Sequence, residues 1–368
     1  MTTLTQAHRQ WASRPADELF ISLTELQSFA ALSRQTSRSE VVSAREIELI
    51  PADGDHKGLL IGARDGTQAA PTHWSFGQLC SLASTPSPAS YFRDSGLPTP
   101  IIADRLNYNL RFTRGVEDVK LLVSGQGDDV ELRAATGPRY GRIWNADVVD
   151  ALVERFGDGV SGHWRVPGIF GQRITVDKGN TTLYASDRDM FVFLADEENR
   201  IELPGRRAGR SGSFARGFFV WNSEVGKTTL GAGFFLFDYV CCNRIIWGAD
   251  QYTEIRIRHT KGAPDRWLEE VTPVLREYSR ASAKPVVQAI EDARHKHVEA
   301  NLDQFLANRF GKRMVAPIKA IHETEEGRPI ETLWDVTTAA TAFARSRPNT
   351  DKRLEIERTA GELLKLAA

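Results

Sequence analysis

Residues 217–247 read GFFVWNSEVGKTTLGAGFFLFDYVCCNRIIW. Apolar residues fill consecutive positions on both sides of the polar interval NSEVGKTT. A strand covered on both faces is apolar at every position, whereas a half-covered strand alternates. Phe218 and Val220 are therefore expected on one buried face, and Phe219 and Trp221 on the other. The interval contains Gly-Lys-Thr, the end of a phosphate-binding loop. That loop needs a glycine five positions before Gly226, where this chain has Trp221, and it must lead from a strand into a helix. The residues after Thr229 continue as strand, so the stretch reads as a β-hairpin. Residues 230–247 are interrupted by Asp238, Asn243 and Arg244, whereas a membrane span needs roughly 20 nearly unbroken apolar residues.

Working outward, residues 165–259 are strand-rich, with strands expected at 173–176, 181–185, 190–195, 216–222, 228–237 and 253–258. Two more are expected at 119–124 and 130–135, flanking the turn sequence GQGDD. Val41-Val42, Ile47, Leu49 and residues 59–61 suggest short strands. Leu19, Leu23, Leu26, Phe29 and Ala30 recur at helical spacing after Asp17, a plausible cap. Further helices are expected at 72–83, from Thr99-Pro100, and from Asn145 as cap to the stop at Gly157. After Pro264 the period is helical. Trp267, Leu268, Val271, Val274, Leu275 and Tyr278 form one stripe, and Val298, Leu302, Phe305 and Leu306 another. Pro273 and Pro285 interrupt these helices, and two more close the chain near 332–345 and 351–366. The expected class is α+β, a largely antiparallel central sheet with N-terminal helices and a helical C-terminal region. It divides as 1–65 (a helix and short strands), 66–262 (the sheet) and 263–368 (the helical region).

Over 368 residues, 41% hydrophobic and 26% charged content is that of a folded globular chain and excludes wholesale disorder. A net charge of −1 neither announces nor excludes a nucleic-acid partner. The cysteines are Cys80, Cys241 and Cys242, an odd set whose neighbours rarely bridge each other. With an N-terminus, MTTLTQAHRQWASRP, that lacks an export-type apolar core, the expectation is a cytoplasmic protein without a membrane partner.

The sequence offers several chemical candidates. Residues 200–216, RIELPGRRAGRSGSFAR, hold Arg200, Arg206, Arg207, Arg210 and Arg216 against one acid, Glu202. Separated by glycine and serine, they read as a flexible loop whose guanidinium groups adapt to phosphates, with Lys227 as a further cation. The alternative is a solvated surface loop. Phe214, Phe218 and Trp221 would stack bases if exposed, though burial in the sheet is the favoured reading. His295 and His297 are two apart, where a zinc helix needs four, and His259 and His322 complete no set. Cys241 and Cys242 read as buried apolar residues rather than a reactive pair. Asp187, Asp189, Asp196, Glu197 and Glu198 fit a nuclease-like acidic cluster or ordinary turns. No cofactor or metal site is expected.

Asn222-Ser223-Glu224-Val225-Gly226, followed by an aromatic-rich strand and then Cys242-Asn243, resembles the phage/plasmid-like protein family known as domain of unknown function 932. The run RYGRIWNAD from Arg139 and the ending EIERTAGELL from Glu355 are similar to further segments of that family. The likeness spans residues 70–366. It departs at Arg244-Ile245-Ile246, where a small Gly-Met-like step is the family pattern. The resemblance implies a context of prophages, plasmids and integrated elements in bacteria, and no defined activity.

Three functions follow as expectations. The first is a non-enzymatic, DNA-associated protein of a mobile element that holds or anneals single strands. The second is a metal-dependent enzyme acting on nucleic acid or nucleotides, with Asn222, Ser223, Glu224 and Lys227 sharing one turn. Against it stands the simpler reading that Asn222 and Ser223 bond the turn backbone while Glu224 and Lys227 are solvated. The third is an assembly protein that self-associates through its C-terminal helices.

Overall fold

The structure, a computed structural model, describes residues 16–52, 58–62, 68–84, 88–112, 118–126, 129–167, 176–179, 181–207, 210–238, 243–246, 254–298, 301–347 and 350–367. The fold is α+β, built on two sheets. The larger runs β1 (Leu19–Phe20), β9 (Leu183–Ala185), β10 (Met190–Asp196), β12 (Arg210–Asn222), β13 (Leu230–Asp238) and β14 (Asn243–Ile245). β8 (Trp164–Arg165) adds to β10, β11 (Ile201–Arg207) to β12 and β15 (Ile255–Ile257) to β13, every pair antiparallel. The smaller runs β2 (Ser37–Ser43), β6 (Asp118–Gln126), β7 (Asp129–Thr136), β5 (Gln68–Pro71), β4 (Leu59–Gly62) and β3 (Glu48–Pro51). Its β5–β7 pair is parallel and the rest antiparallel. Strands from either side of residue 65 pair directly, β4 with β5 and β2 with β6.

The central hairpin β12–β13 keeps the face assignment read from its sequence. Phe218, Val220 and Phe234 pack with Val192 and Leu194 under α1 (Leu23–Gln35), α5 (Asn145–Phe156) and α6 (Ala263–Arg280). Phe219, Trp221, Phe235 and Phe237 form the opposite face with Phe191, Phe193 and Leu354 of α11 (Thr350–Lys365). On this second face the rings lie over cross-strand glycines. Phe219 is paired with Gly233, Trp221 with Gly231 and Phe235 with Gly217. A Cβ on Gly231 would stand 2.0 Å from Trp221 Cζ2, and one on Gly217 2.3 Å from Phe235 Cζ. Glycine is required there because a ring occupies the place of its side chain.

The smaller sheet is covered by α2 (His73–Leu82), α3 (Pro88–Asp94) and α4 (Thr99–Phe112), which seal Phe76, Leu79, Ile102 and Leu106 against Leu49, Ile61, Leu121 and Leu132. The remaining helices are α7 (Lys284–His295), α8 (Leu302–Phe310), α9 (Val315–Glu326) and α10 (Leu333–Arg345). α10 is buried from Leu333 to Ala344 and opens with a reciprocal capping box between Thr332 and Asp335. Its threonines bond carbonyl oxygens, and Thr337 also reaches the Ala360 carbonyl of α11 at 3.4 Å. Thr337, Thr338 and Thr341 bond back to the carbonyls of Leu333, Trp334 and Thr337.

Several details depart from the sequence expectations. The cap of α1 is Ser22, whose Oγ accepts from the Glu25 amide, while Asp17 sits in a separate 3-10 turn. Asn145 is the first residue of α5 rather than its cap. In place of the expected flexible loop, residues 201–207 and 210–216 are strand, β11 and the first half of β12, and residues 208–209 lie outside the described residues. Ile201, Leu203 and Phe214 alternate inward against Val286, Ala289 and Ile290 of α7, which makes β11 a strand. Gly, Ser and Pro204 hide that alternation, and the register slips between Leu203 and Arg207, beside the proline that cannot donate to the ladder. The strand expected at 173–176 lies, up to residue 175, outside the described residues, as do residues 239–242 and 247–253.

Candidate functional site

The turn between β12 and β13 is buried from Asn222 to Val225, while Gly226 is exposed and Lys227 to Thr229 are half-buried. Asn222 and Ser223 have no solvent exposure and Glu224 has 2%. Asn222 Nδ2 donates to the Ile143 carbonyl (2.9 Å) and to Asn145 Oδ1 (2.8 Å). Ser223 Oγ donates to the Arg188 carbonyl at 2.7 Å and accepts the amides of Val225 and Lys227. Gly226 supplies the left-handed residue that closes the turn, at φ +84°. Ser223 thus bonds the turn backbone as expected, but Asn222 reaches outward to the start of α5.

Glu224 is not solvated. Its Oε1 accepts the Asn145 amide at 2.7 Å, and its Oε2 faces Arg133 Nη2 at 2.8 Å, with both side chains buried. The carboxylate therefore occupies the N-terminus of α5, where Trp144 offers no side-chain cap. Orphan amides and the positive end of the helix dipole favour a negative group at that position. Arg142 Nη1 donates to the Glu224 carbonyl oxygen, and the Arg142 guanidinium lies 5.6 Å from the ring centroids of both Tyr140 and Trp144. Burial brings the Arg142 pKa down to about 10, against the opposing pull of Tyr140 and Glu224. Tyr140 donates its hydroxyl to the Ser223 carbonyl, and Trp74 and Gln78 of α2 both donate to the Val225 carbonyl. One turn of the larger sheet is thereby bonded to the smaller sheet, its covering helix and the start of α5.

Glu224 and Lys227 do not converge. Lys227 Nζ reaches away to Asp189 Oδ2 at 2.5 Å, and Asp189 is buried with Ser186 Oγ on its other oxygen. The shared-turn arrangement that an acid–base site would need is absent from the described residues. The acidic cluster also divides among local turns. Asp196 accepts from Asn199, Glu197 pairs with Arg200 at 2.6 Å, and Glu198 pairs with His163 at 2.6 Å. Among the described residues no group of three His, Cys, Asp or Glu side chains could hold a metal ion, and no helix is long and apolar enough to cross a membrane. Cys241 and Cys242 lie outside the described residues. Burial pushes the Cys80 thiol up to about 12, which makes it no nucleophile.

The cations of residues 200–216 and Lys227 have different fates. Arg216 is buried, its Nη1 donating to the Ala281 carbonyl at the C-terminus of α6 and its guanidinium 5.9 Å from the Tyr278 ring. It closes a helix end, where a cation is favoured by the dipole. Arg200 is held by Glu197. Arg206 and Arg207 lie on β11 and Arg210 on β12, with Arg207 and Arg210 directly paired at the outer end of the hairpin. Since β12 spans 13 residues, this end and the Asn222 turn lie roughly 40 Å apart along the strand. They cannot form one cleft. Phe214, Phe218, Phe219 and Trp221 are all core residues and offer no surface for a base.

Arg133, Arg142 and Tyr140, partners of the turn, were not among the residues singled out for chemistry, whereas Asp189 was named only within the acidic cluster and not as the partner of Lys227. One signal pointed near them, because the run from Arg139 to Asp147 is a stretch that carries the family likeness. It is this run that meets Asn222–Gly226. The third stretch arrives at the same strand, with the Arg358 guanidinium 5.8 Å from the Trp221 ring centroid and its Nε 2.9 Å from Glu254. No protein-family model, curated protein or solved structure matches this chain. The likeness to the phage/plasmid-like family rests on these residues alone.

Half-buried His259 and buried His322 predict a pH dependence. Burial pulls the His259 pKa below its usual value, with Arg142 adding to the effect and the Gly141 carbonyl opposing it. Burial likewise lowers His322, against the pull of Asp335. The folded state favours both neutral rings, so their contribution is complete above the unfolded value near 6.5. It is lost as pH falls through that value toward the lower folded one, because the unfolded chain then binds more protons. Thermal melts should therefore show a midpoint that drops from pH 7 to pH 5. Replacing both rings (His259→Asn with His322→Gln) should flatten that slope, and an unchanged slope would contradict the assignment.

Proposed function

We propose that this is a non-enzymatic, nucleic-acid-associated protein of a bacterial mobile element, acting in the cytoplasm. It grips the phosphates of single-stranded DNA with the outer end of the β11–β12 hairpin. The observation that carries this reading is the register of Arg207 against Arg210. Like charges at opposed positions destabilise a strand pair, and an anion bound there offsets the repulsion. Arg206 adjoins the pair, and no acid occurs from Leu203 to Arg216. The likeness of the Asn222–Gly226 turn to the phage/plasmid-like family supports the mobile-element context. With the sheet aromatics buried, this hairpin makes phosphate contacts rather than base contacts, and affinity follows salt rather than sequence.

Fluorescence anisotropy with a labelled single-stranded oligonucleotide across a salt series tests this. Each phosphate contact contributes about 0.7 to the slope of log affinity against log salt for single strands. The Arg206→Ala, Arg207→Ala, Arg210→Ala variant should lose roughly two units of slope. Absence of binding at low salt, or binding by the triple variant equal to the parent's, rejects the proposal.

A further inference from the structure

The smaller sheet's helix α4 buries Ile102, Leu106 and Leu110 on its inner face, and the Asn107 amide locks it to β3 through both the amide and the carbonyl of Leu49. Its outer face is unusual. Ile101, Tyr108 and Phe112, at helical spacing on one stripe, are 52%, 60% and 64% exposed. The rings of Tyr108 and Phe112 touch, with centroids 4.9 Å apart. Arg105 and Arg111 flank them on the same surface, with Asp104 the single acid of this face. Among the described residues neither arginine forms an ion pair, in contrast to Arg34, Arg133, Arg200 and Arg328, which are held by carboxylates.

We propose that this face of α4 is a stacking platform for unpaired nucleic-acid bases, with Tyr108 and Phe112 under the bases and Arg105 and Arg111 on the adjoining phosphates. The proposal rests on the nucleic-acid reading above and supplies the base contacts that the β11–β12 hairpin cannot make. Two chemical features select this ligand. A pair of exposed rings accepts any base, since every base has a π-face, and guanidinium groups beside it meet the backbone. Size selects against a second protein copy. A helix of 14 residues is about 21 Å long and about 10 Å wide. One such face offers far less than the roughly 800 Å² per partner of a stable interface.

The test uses the full chain and a labelled thymidine oligonucleotide, single-stranded and as a duplex with its complement, with sizing by light scattering in parallel. Tyr108→Ala with Phe112→Ala should weaken single-strand binding at least tenfold at every salt concentration, because two stacked bases together contribute more than that. Its salt slope should remain that of the parent. Arg105→Ala with Arg111→Ala should instead reduce the slope by about 1.4. Tyr108→Phe should bind as the parent does, since stacking uses the ring and not the hydroxyl. The residues are exposed, so parental thermal midpoints are expected for all of these variants. If the parent binds and the double alanine variant binds equally well, the platform is rejected while the hairpin proposal stands. If the parent binds no nucleic acid, the functional reading itself falls. A double variant that turns a parental dimer into a monomer without changing binding identifies the face as a self-association surface and overturns the proposal.

Discussion

Glu224→Ala should destabilise the protein by about 3–5 kcal/mol, the cost of leaving a buried charge without its partner. Arg133 would lose the carboxylate that faces it at 2.8 Å, inside a site where both side chains are below 10% exposed. The first amide of α5 would lose its acceptor as well, which adds roughly 1 kcal/mol, the usual worth of an N-terminal cap. Glu224→Gln keeps an acceptor for the Asn145 amide and removes only the charge, so it should cost less. Combining Glu224→Gln with Arg133→Met should recover part of the loss, since an apolar isostere of a buried pair is often tolerated. Urea denaturation read by tryptophan fluorescence measures all three. A Glu224→Ala protein with the parent's midpoint but no nucleic-acid binding would assign Glu224 to function instead of to the joint between the sheets.

Gly141→Ala is the second large effect. A Cβ at this position would lie 1.8 Å from the Thr260 carbonyl oxygen and 2.9 Å from Pro264 Cδ. The obstacle is backbone, so no side-chain rotation relieves it. The two segments are also tied to each other, the Gly141 amide donating to the His259 carbonyl and the His259 ring facing the Gly141 carbonyl. Separating them would pull the 137–145 segment off the buried turn. A loss of about 3 kcal/mol is expected, the upper end for overpacking. Gly226→Ala is the instructive contrast. It has no neighbour closer than 3.6 Å and is strained only by its φ of +84°, a cost of about 1–2 kcal/mol. A smaller loss at Gly141 than at Gly226 would show that the 137–145 contact yields easily.

The two features first read together, the arginine-rich segment and the Asn222 turn, prove to be opposite ends of one strand. Adjacency in sequence suggested a shared site, but a strand extends its residues instead of gathering them. The arginines of residues 200–216 were visible by composition alone. Composition could not show that Arg216 closes a helix or that Arg200 is held by Glu197. The α4 face was half legible. The sequence puts Ile101, Ile102, Leu106 and Leu110 on that helix, and only the packing of the smaller sheet separates the buried last three from Ile101, which is left uncovered with Tyr108 and Phe112.

The chain's local chemistry by itself determined where most elements begin and what faces they bury. Consecutive apolar residues in β12 and β13 demanded cover on both sides, and Gly226 marked the turn. Thr99-Pro100 marked a helix start. These are properties of neighbouring residues, and periodicity reports them directly. The tertiary structure decided which distant groups meet: that Glu224 caps a helix nearly 80 residues upstream, that β11 is a strand, and that two sheets share one buried turn. A buried carboxylate must find a cation and an amide, but which ones depends on the folding of the whole chain. No local pattern in the sequence encodes that choice.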